Sequence, residues 1–431
     1  MSVIRISDIT VTPVAFADPP LLTAVGVHEP YALRAIIEIA TDAGLTGLGE
    51  TYGDDHHLAA LRAAARALKG ADVYHTEDIY RQVAAIMAKA QSGTIASGLA
   101  GDSAAADRVF SPFEVACLDI QGKAADRPVA DLLGGAVRDE VPFSAYLFYK
   151  WAAHPGHEPD DWGEALDPDG IVRQARRMVG DYGFTALKLK GGVFPPDQEA
   201  EAIRALRDAF PEHPLRLDPN AAWTPATGST VARELAGVLE YLEDPTPGIE
   251  GMAEVSHEAP MPLATNMCVV AFADLPPAIA RNAVQVVLSD HHYWGGLRRS
   301  GLLAGICETF GLGLSMHSNS HLSISLAAMV HLAAATPNLT YACDTHWPWK
   351  SEDVSKGRPL SFRDGSVRVP DGPGLGVELD RDALGALHER YLRCGIRNRD
   401  DTGYMQRIDP SYVPKRPRWL AVEAVRTGCR G

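Results

Sequence analysis

The fold of this chain is decided by one short stretch, FTALKLKGG at residues 184–192. Side chains alternate along a β-strand, so Lys188 and Lys190 share one face if this stretch is a strand. An isolated pair of this kind is usually a surface feature, because lysine is rarely buried. Here similar β-like runs lie on both sides of the pair, and we predict that both lysines point into a barrel.

The two lysines are therefore candidate catalytic residues. Gly191 and Gly192 follow them directly, and the run lies inside a repeated pattern, which favours a functional role over a surface role. Two ammonium groups this close repel each other, and we expect the repulsion to lower a lysine pKa toward the range of a usable base.

Short β-like runs recur through the middle of the chain, and most of them end in polar residues. They cover residues 143–148, 185–190, 215–220, 241–244, 263–266, 284–290, 312–317 and 340–344. From the second run to the seventh, the polar ends are about 25 residues apart, which is the length of a strand plus a returning helix. Eight such runs predict an α/β chain with a TIM-type barrel, whose chemistry lies at the carboxyl ends of the strands.

The barrel is predicted over residues 139–372. Residues 4–16 and 33–40 alternate apolar with polar side chains, and helical spacing follows from residue 57 to about 135. We therefore predict an N-terminal α+β capping domain over residues 1–138. The segment 373–431 is rich in Pro, Gly and Arg, and we expect it to return to the capping domain and the barrel mouth.

Composition limits the class of protein. The chain has 431 residues and a formal net charge of -15, which disfavours nucleic-acid binding because that relies on basic side chains. Its 6 cysteines are far apart and form no CxxC pair, so a reducing compartment fits best. The start of the chain shows no apolar signal segment, and its longest apolar stretch is too short and polar for a membrane span. We expect a cytoplasmic protein without membrane or nucleic-acid partners.

Oxygen-bearing side chains end three successive runs and suggest a metal site. Asp218 ends one run, Glu243 ends the next with Glu250 seven residues later, and Asn266 ends the third. Carboxylate and amide oxygens on neighbouring strand ends are the ligands that a hard cation such as Mg²⁺ requires. The residues do not decide between Glu243 and Glu250 as the second ligand.

Asp290 and His317 end the following two runs. A carboxylate beside a histidine fixes the tautomer of the ring and raises its basicity. A divalent cation, a lysine and a second base together indicate removal of a proton α to a carboxylate, with electrostatic stabilisation of the resulting enediolate.

The ordered set of motifs resembles the glucarate dehydratase family of the enolase superfamily. The similar segments are residues 27–30, 146–149, 184–192, 217–220, 243–245, 264–267, 317–319, 344–347 and 415–417. The resemblance spans nearly the whole chain and implies a modified TIM barrel, (β/α)₇β, with an α+β capping domain that the C-terminal segment completes. It implies a Mg²⁺-dependent hydro-lyase that converts a hexarate such as D-glucarate into a keto-deoxy-hexarate.

The resemblance also implies roles for individual residues. Lys190 would be the base on one face of the substrate, and His317, paired with Asp290, the base on the other face and the acid for the departing hydroxide. Lys188 would lie beside the substrate carboxylate. Asp218, Glu250 and Asn266 would bind the metal, with Glu243 as an alternate or outer ligand. The implied substrate contacts are His28, Tyr146, Phe148, Asn220, Ser318, Asn319, His346 and Arg416.

Other functions on the same scaffold stay open. A racemase or epimerase would use the same two bases and simply return the proton. A dehydratase of another acid sugar, or a non-catalytic protein that binds sugar acids, would retain the same pocket. In each case we expect a small-molecule acid as partner and a homo-oligomer.

Overall fold

The computed structural model describes residues 3–90, 102–357 and 360–419. The part of the predicted C-terminal segment beyond residue 419 lies outside the described residues. None of the helices in the described ranges combines the length and apolar character needed to cross a membrane.

The N-terminal part is a three-stranded antiparallel sheet covered by helices. Its elements are β1 (Ile6–Ala17), β2 (Leu22–Thr23), β3 (Gly26–Val27), β4 (Tyr31–Thr41), β5 (Thr46–Tyr52), α1 (Asp55–Ala67), α2 (Thr76–Ala90), α3 (Asp102–Ala125) and α4 (Val129–Leu132). The sheet order is β1-β4-β5, and β2 pairs with β3 as a separate small ribbon. Apolar side chains of β4, among them Leu33, Ile37 and Ile39, form a buried core with α1, α2 and α3. This part is α+β, as predicted.

The central part is a barrel of eight parallel strands alternating with seven helices. The strands are β6 (Glu140–Phe148), β7 (Leu187–Lys190), β8 (Leu215–Asp218), β9 (Leu239–Glu243), β10 (Leu263–Thr265), β11 (Val286–Ser289), β12 (Gly313–Met316) and β13 (Cys343–Thr345). The helices are α5 (Pro168–Tyr182), α6 (Pro196–Ala209), α7 (Pro225–Glu234), α8 (Gly248–Ser256), α9 (Leu275–Ala280), α10 (Leu297–Phe310) and α11 (Ser323–Ala334).

Strands β6 to β12 pair in chain order, and β13 pairs in parallel with β6. The amides of Thr340 and Tyr341 donate to the carbonyl of Leu314 at 2.9 and 3.1 Å, which joins the β13 segment to β12 and closes the barrel. The predicted modified TIM barrel, (β/α)₇β, is confirmed.

Local sequence explains where several of the barrel helices begin. Four of them, α5, α6, α7 and α9, carry proline in the first turn, where the missing N–H costs nothing. Asp167 and Thr224 accept hydrogen bonds from the first turns of α5 and α7. The strands between them are buried on both faces, so even the lysines of β7 lie inside.

The C-terminal part returns to the N-terminal sheet. It contains the hairpin β14 (Phe362–Arg363) and β15 (Ser366–Arg368), then α12 (Arg381–Arg393) and α13 (Asp401–Ile408). Strand β15 pairs with β6, helix α12 packs on β1 and α13 packs on β3. The domain boundaries at residues 138/139 and 372/373 stay predictions.

Candidate active site

A cavity of about 710 Å³ lies at the carboxyl ends of the barrel strands. Three parts of the chain line it: the barrel through residues such as Lys190 and His317, the N-terminal part through His28 and Arg108, and the C-terminal segment through Arg416. The cavity thus lies between the N-terminal part, called the cap from here on, and the end of the barrel where a (β/α) barrel carries its chemistry.

Lys190 enters the cavity from the end of β7. Its Nζ atom donates to Asp218 Oδ2 at 2.7 Å and to Asn220 Oδ1 at 2.9 Å. Gly192, just after the strand, has φ +76°, and a Cβ atom there would lie 2.3 Å from the carbonyl oxygen of Pro219. Only glycine fits this turn, so the close approach of the β7 and β8 loops depends on it.

Lys188 points into the barrel but does not reach the cavity wall. Its Nζ atom lies 2.6 Å from Asp344 Oδ2, 2.6 and 2.7 Å from the two carboxylate oxygens of Glu243, and 3.5 Å from Asp218. Burial disfavours the ammonium form, but the carboxylates of Asp344, Glu243 and Asp218 outweigh burial and raise the Lys188 pKa well above its usual value. The expectation that lysine–lysine repulsion lowers its pKa is therefore wrong for Lys188.

Asp218, Glu243 and Asn266 come together at the ends of β8, β9 and β10. All three are buried, and Asn266 Nδ2 donates to Glu243 Oε1 at 2.9 Å. Burial raises the Glu243 pKa well above its usual value, and the Asp218 charge raises it further. For Asp218, burial is outweighed by the two lysines, which hold its pKa well below the usual range.

The carboxylates of Asp218, Glu243 and Asp344 surround the two ammonium groups of Lys188 and Lys190, so the cluster carries a surplus of negative charge. A divalent cation relieves such a surplus, and oxygen ligands on adjacent strand ends match the preference of Mg²⁺. The residues present therefore fit a hard divalent cation.

Glu250 does not join this group. It lies in the first turn of α8 on the outside of the barrel, its side chain is 75% exposed, and it forms an ion pair with Arg281 at 2.8 Å. The expectation that Glu250 binds the metal is corrected, because the chain turns outward through residues 244–248 after β9. Glu243 occupies the position beside Asp218.

The loops that carry these oxygens are conformationally strained. Asn220, Ala221 and Asp244 have φ values of 55°, 59° and 38° although none of them is glycine. Such left-handed residues cost roughly 1–3 kcal/mol each and persist where the surroundings hold them in place. The Asp244 carboxylate is one such restraint, because it accepts from Thr265 Oγ1 at 2.6 Å and from the Asn266 amide at 2.9 Å.

His317 faces the cavity opposite Lys190, at the end of β12. Its Nδ1 atom lies 3.0 Å from Asp290 Oδ2. Burial alone would raise the Asp290 pKa. His292 and His317 have the larger, opposite effect, and together they hold the pKa well below its usual value. An ionised Asp290 accepts a hydrogen bond from Nδ1–H of His317, which leaves Nε2 as the ring nitrogen able to exchange a proton with a ligand.

Most of the implied substrate contacts line the same cavity. These are His28, Tyr146, Phe148, Asn220, Asn319, His346 and Arg416. Ser318 is not in the cavity wall, and its buried hydroxyl has no hydrogen-bond partner among the described residues. Burial, followed by the neighbouring histidines, lowers the His346 pKa well below its usual value, so His346 is neutral near pH 7.

Arg108 is a cavity residue that sequence reasoning missed. It lies in α3 of the cap, and its guanidinium stacks 4.7 Å above the ring of Tyr293, which in turn stacks near His317. Its Nε atom is buried and has no hydrogen-bond partner among the described residues. Nothing in the sequence singles it out, because α3 lies outside the barrel repeat.

The chain matches known proteins over most of its length. Residues 170–383 match a family model described as enolase C-terminal domain-like, and residues 6–134 match the N-terminal domain of mandelate racemase and muconate lactonizing enzyme. A probable glucarate dehydratase from Streptomyces coelicolor is 53% identical over 429 residues, which cover 96% of this chain and 99% of that protein.

Solved structures agree over the same length. An enolase from Mycobacterium smegmatis complexed with tartrate is 70% identical with a TM-score of 0.94, covering 97% of this chain and 100% of that one. An enolase from Thermobispora bispora complexed with magnesium and formate is 64% identical with a TM-score of 0.94, covering 96% and 100%.

Proposed function

Because this chain belongs to the enolase superfamily, we propose that it is a Mg²⁺-dependent dehydratase of a hexarate resembling D-glucarate. The enzyme removes the proton α to one carboxylate and eliminates the neighbouring hydroxyl, which gives a keto-deoxy-hexarate. The observation that carries the proposal is that Lys190 and His317 line one cavity together with Asn266, beside the carboxylates of Asp218 and Glu243.

Asp218, Glu243 and Asn266 are the residues that would hold Mg²⁺. When bound, the cation stabilises the negative charge that develops on the substrate carboxylate as the α-proton leaves. The magnesium in the T. bispora structure supports this choice of metal. Lys188 stays beneath these oxygens and balances their charge.

The two bases act on opposite faces of the α-carbon. Lys190 Nζ takes the proton from one face, and His317 Nε2 takes it from an epimer that presents its proton to the other face. His317 in its protonated form then gives a proton to the departing hydroxyl, which leaves as water. A positioned base or acid of this kind contributes about 10²–10⁴-fold to the rate.

Two guanidinium groups are suited to the distal carboxylate of the substrate. Arg416 reaches the cavity beside Asn220, and Arg108 reaches it beside Tyr293. Both side chains line the cavity, and a guanidinium fork matches carboxylate geometry. The M. smegmatis relative holds tartrate, a dihydroxy dicarboxylate, which supports a substrate with two acidic ends.

Assays on the purified chain test this function. A panel of hexarate and aldonate diastereomers with Mg²⁺ is scored for a ketone by carbonyl trapping, with and without a chelator. We expect a keto-deoxy product from at least one hexarate, and loss of that product when Mg²⁺ is removed. Exchange of the α-proton without a ketone would indicate a racemase or epimerase instead. Tight binding without exchange would indicate a binding protein.

A cytoplasmic location and a homo-oligomeric state are part of the proposal.

A further inference from the structure

The carboxylate of Asp290 is divided between two histidines. Its Oδ2 atom lies 3.0 Å from Nδ1 of His317, whereas its Oδ1 atom accepts from the His292 amide at 2.9 Å and lies 2.7 Å from His292 Nδ1. All three side chains are buried. Asp290 therefore offers a single oxygen to the catalytic histidine, and His292 holds the other.

The far side of His292 fixes its tautomer. Its Nε2 atom lies 2.9 Å from Nη2 of Arg34 and 3.0 Å from Oγ of Ser325. A guanidinium can only donate, so Nε2 must accept, and the ring proton of a neutral His292 is on Nδ1. His292 consequently donates to Asp290.

Arg34 is held in place by Glu50, a neighbouring residue of the N-terminal sheet. Its Nε atom donates to Glu50 Oε1 at 2.8 Å, and both side chains are almost fully buried. Glu50 also accepts the backbone amides of Leu322 and Ser325 at 2.8 Å each. Strands β4 and β5 of the cap thus position a side chain that reaches the loop after β11.

A metal site is a poorer explanation of this cluster. The ligand atoms of Asp290, His291 and His292 lie within 4.8 Å of one another. A cation there would face the Arg34 guanidinium, and Asp290 and His292 already use these atoms for hydrogen bonds. The arrangement is better suited to orienting a side chain.

We propose that His292, held by Arg34 and Glu50, is a positioning residue that fixes Asp290 and thereby the tautomer and orientation of His317. This inference rests on the proposed function, since it assigns His292 to one of the two bases. With one carboxylate oxygen committed to His292, Asp290 cannot rotate away from His317. Loss of an outer partner of this kind typically lowers activity about 10–100-fold.

Three variants separate positioning from general support of the fold. His292→Phe keeps a ring of similar size without the donor to Asp290. His292→Asn keeps a donor at the place of Nδ1 and serves as the rescue variant. His291→Asn is the matched control, because it removes an adjacent buried imidazole that forms no hydrogen bond to Asp290 among the described residues.

The readout is exchange of the α-proton with D₂O for two epimers that present this proton to opposite faces. We expect His292→Phe to slow exchange on the His317 face, and dehydration of both epimers, by about 10–100-fold. Exchange on the Lys190 face should stay within about threefold of wild type, and His292→Asn should recover most of the loss. His291→Asn should leave both faces unchanged.

If His292→Phe slows α-proton exchange equally on both faces, or on neither face, the inference about His292 is wrong. The proposed function still stands in that case, provided that the wild type dehydrates a hexarate. Absence of both exchange and dehydration in the wild type with every acid sugar would instead overturn the proposed function. If His292→Phe does not fold, His292→Gln, which lacks a donor at the Nδ1 place, gives the same comparison against His292→Asn.

Discussion

The ammonium group of Lys188 lies 2.6 Å from the Asp344 carboxylate, and both side chains are fully buried. Strand β7 and strand β13 are thereby tied together across the inside of the barrel. A buried ion pair contributes little net stability over an apolar pair, but removing one partner leaves an uncompensated charge.

Replacement of Lys188 by Met should therefore destabilise the metal-free protein by about 3–5 kcal/mol. The double variant Lys188→Met/Asp344→Asn should regain part of this loss, because one stranded carboxylate is removed with the lysine. Urea unfolding in the presence of a chelator measures both. Lys356→Met, at an exposed ion pair with Glu378, is the control and should cost about 0–1 kcal/mol. A Lys188→Met protein as stable as the control would contradict the structure.

The choice between Glu243 and Glu250 is tested by metal binding. Glu243→Gln should raise the Kd for Mg²⁺ by about 10-fold or more, because the site loses one of its two carboxylate charges. Glu250→Gln should change the Kd by less than about twofold, since Glu250 is exposed and paired with Arg281. Isothermal titration with Mg²⁺ measures both Kd values. A larger increase in Kd for Glu250→Gln than for Glu243→Gln would contradict the assignment of Glu243 as the metal ligand.

Arg108 should contribute to recognition of a second carboxylate. Arg108→Met is expected to lower kcat/KM for a hexarate by about 10-fold or more, because a hydrogen bond to a charged group contributes about 1.5–3 kcal/mol. The matching aldonate, which lacks that carboxylate, should lose much less. Arg173→Met, on the exposed face of α5, controls for the change in net charge. Equal losses for hexarate and aldonate would exclude this role.

Glu114 should make stability depend on pH. Burial raises the pKa of this carboxyl to about 7, although it accepts from the amide of Leu297 at 2.9 Å at the start of α10. The folded protein then keeps a proton that the unfolded chain releases above about pH 4.5, so stability falls as pH rises from about 4.5 to about 7.

Glu114→Gln removes this titration. The difference in Tm between wild type and variant should decrease by about 3 °C as the pH rises from about 4.5 to about 7. This corresponds to a loss of about 3 kcal/mol in the free energy of unfolding of the wild type. Calorimetry at several pH values measures the difference, and Glu250→Gln is an exposed control. Parallel curves for wild type and Glu114→Gln would show that the carboxyl is ionised throughout.

The barrel could be predicted from the sequence because the signals for its strands and helices are local. Most of the β-like runs end in polar residues at a regular spacing, and this spacing with strand alternation pointed to Lys190, Asp218, Asn266 and His317. The same rule failed at Glu250, because a short turn after β9 carries the chain to the outside before α8 begins at Gly248.

Charges that meet only in three dimensions were not predictable. The pKa of Lys188 is set by Asp344, which is far away in sequence but adjacent in the barrel. Arg108 lies on a helix of the cap, and its approach to the cavity depends on how the cap packs on the barrel. Periodicity describes elements and strand ends, whereas these contacts depend on packing between distant elements.

The hydrogen bond between Arg34 and His292 has a consequence for protein engineering. Grafting the N-terminal sheet of one homologue onto the barrel of another would pair a foreign residue 34 with a resident residue 292. Such a chimera changes the alignment of a catalytic base as well as the lining of the substrate pocket. Recombination libraries built on this scaffold should therefore exchange positions 34, 50 and 292 as one unit.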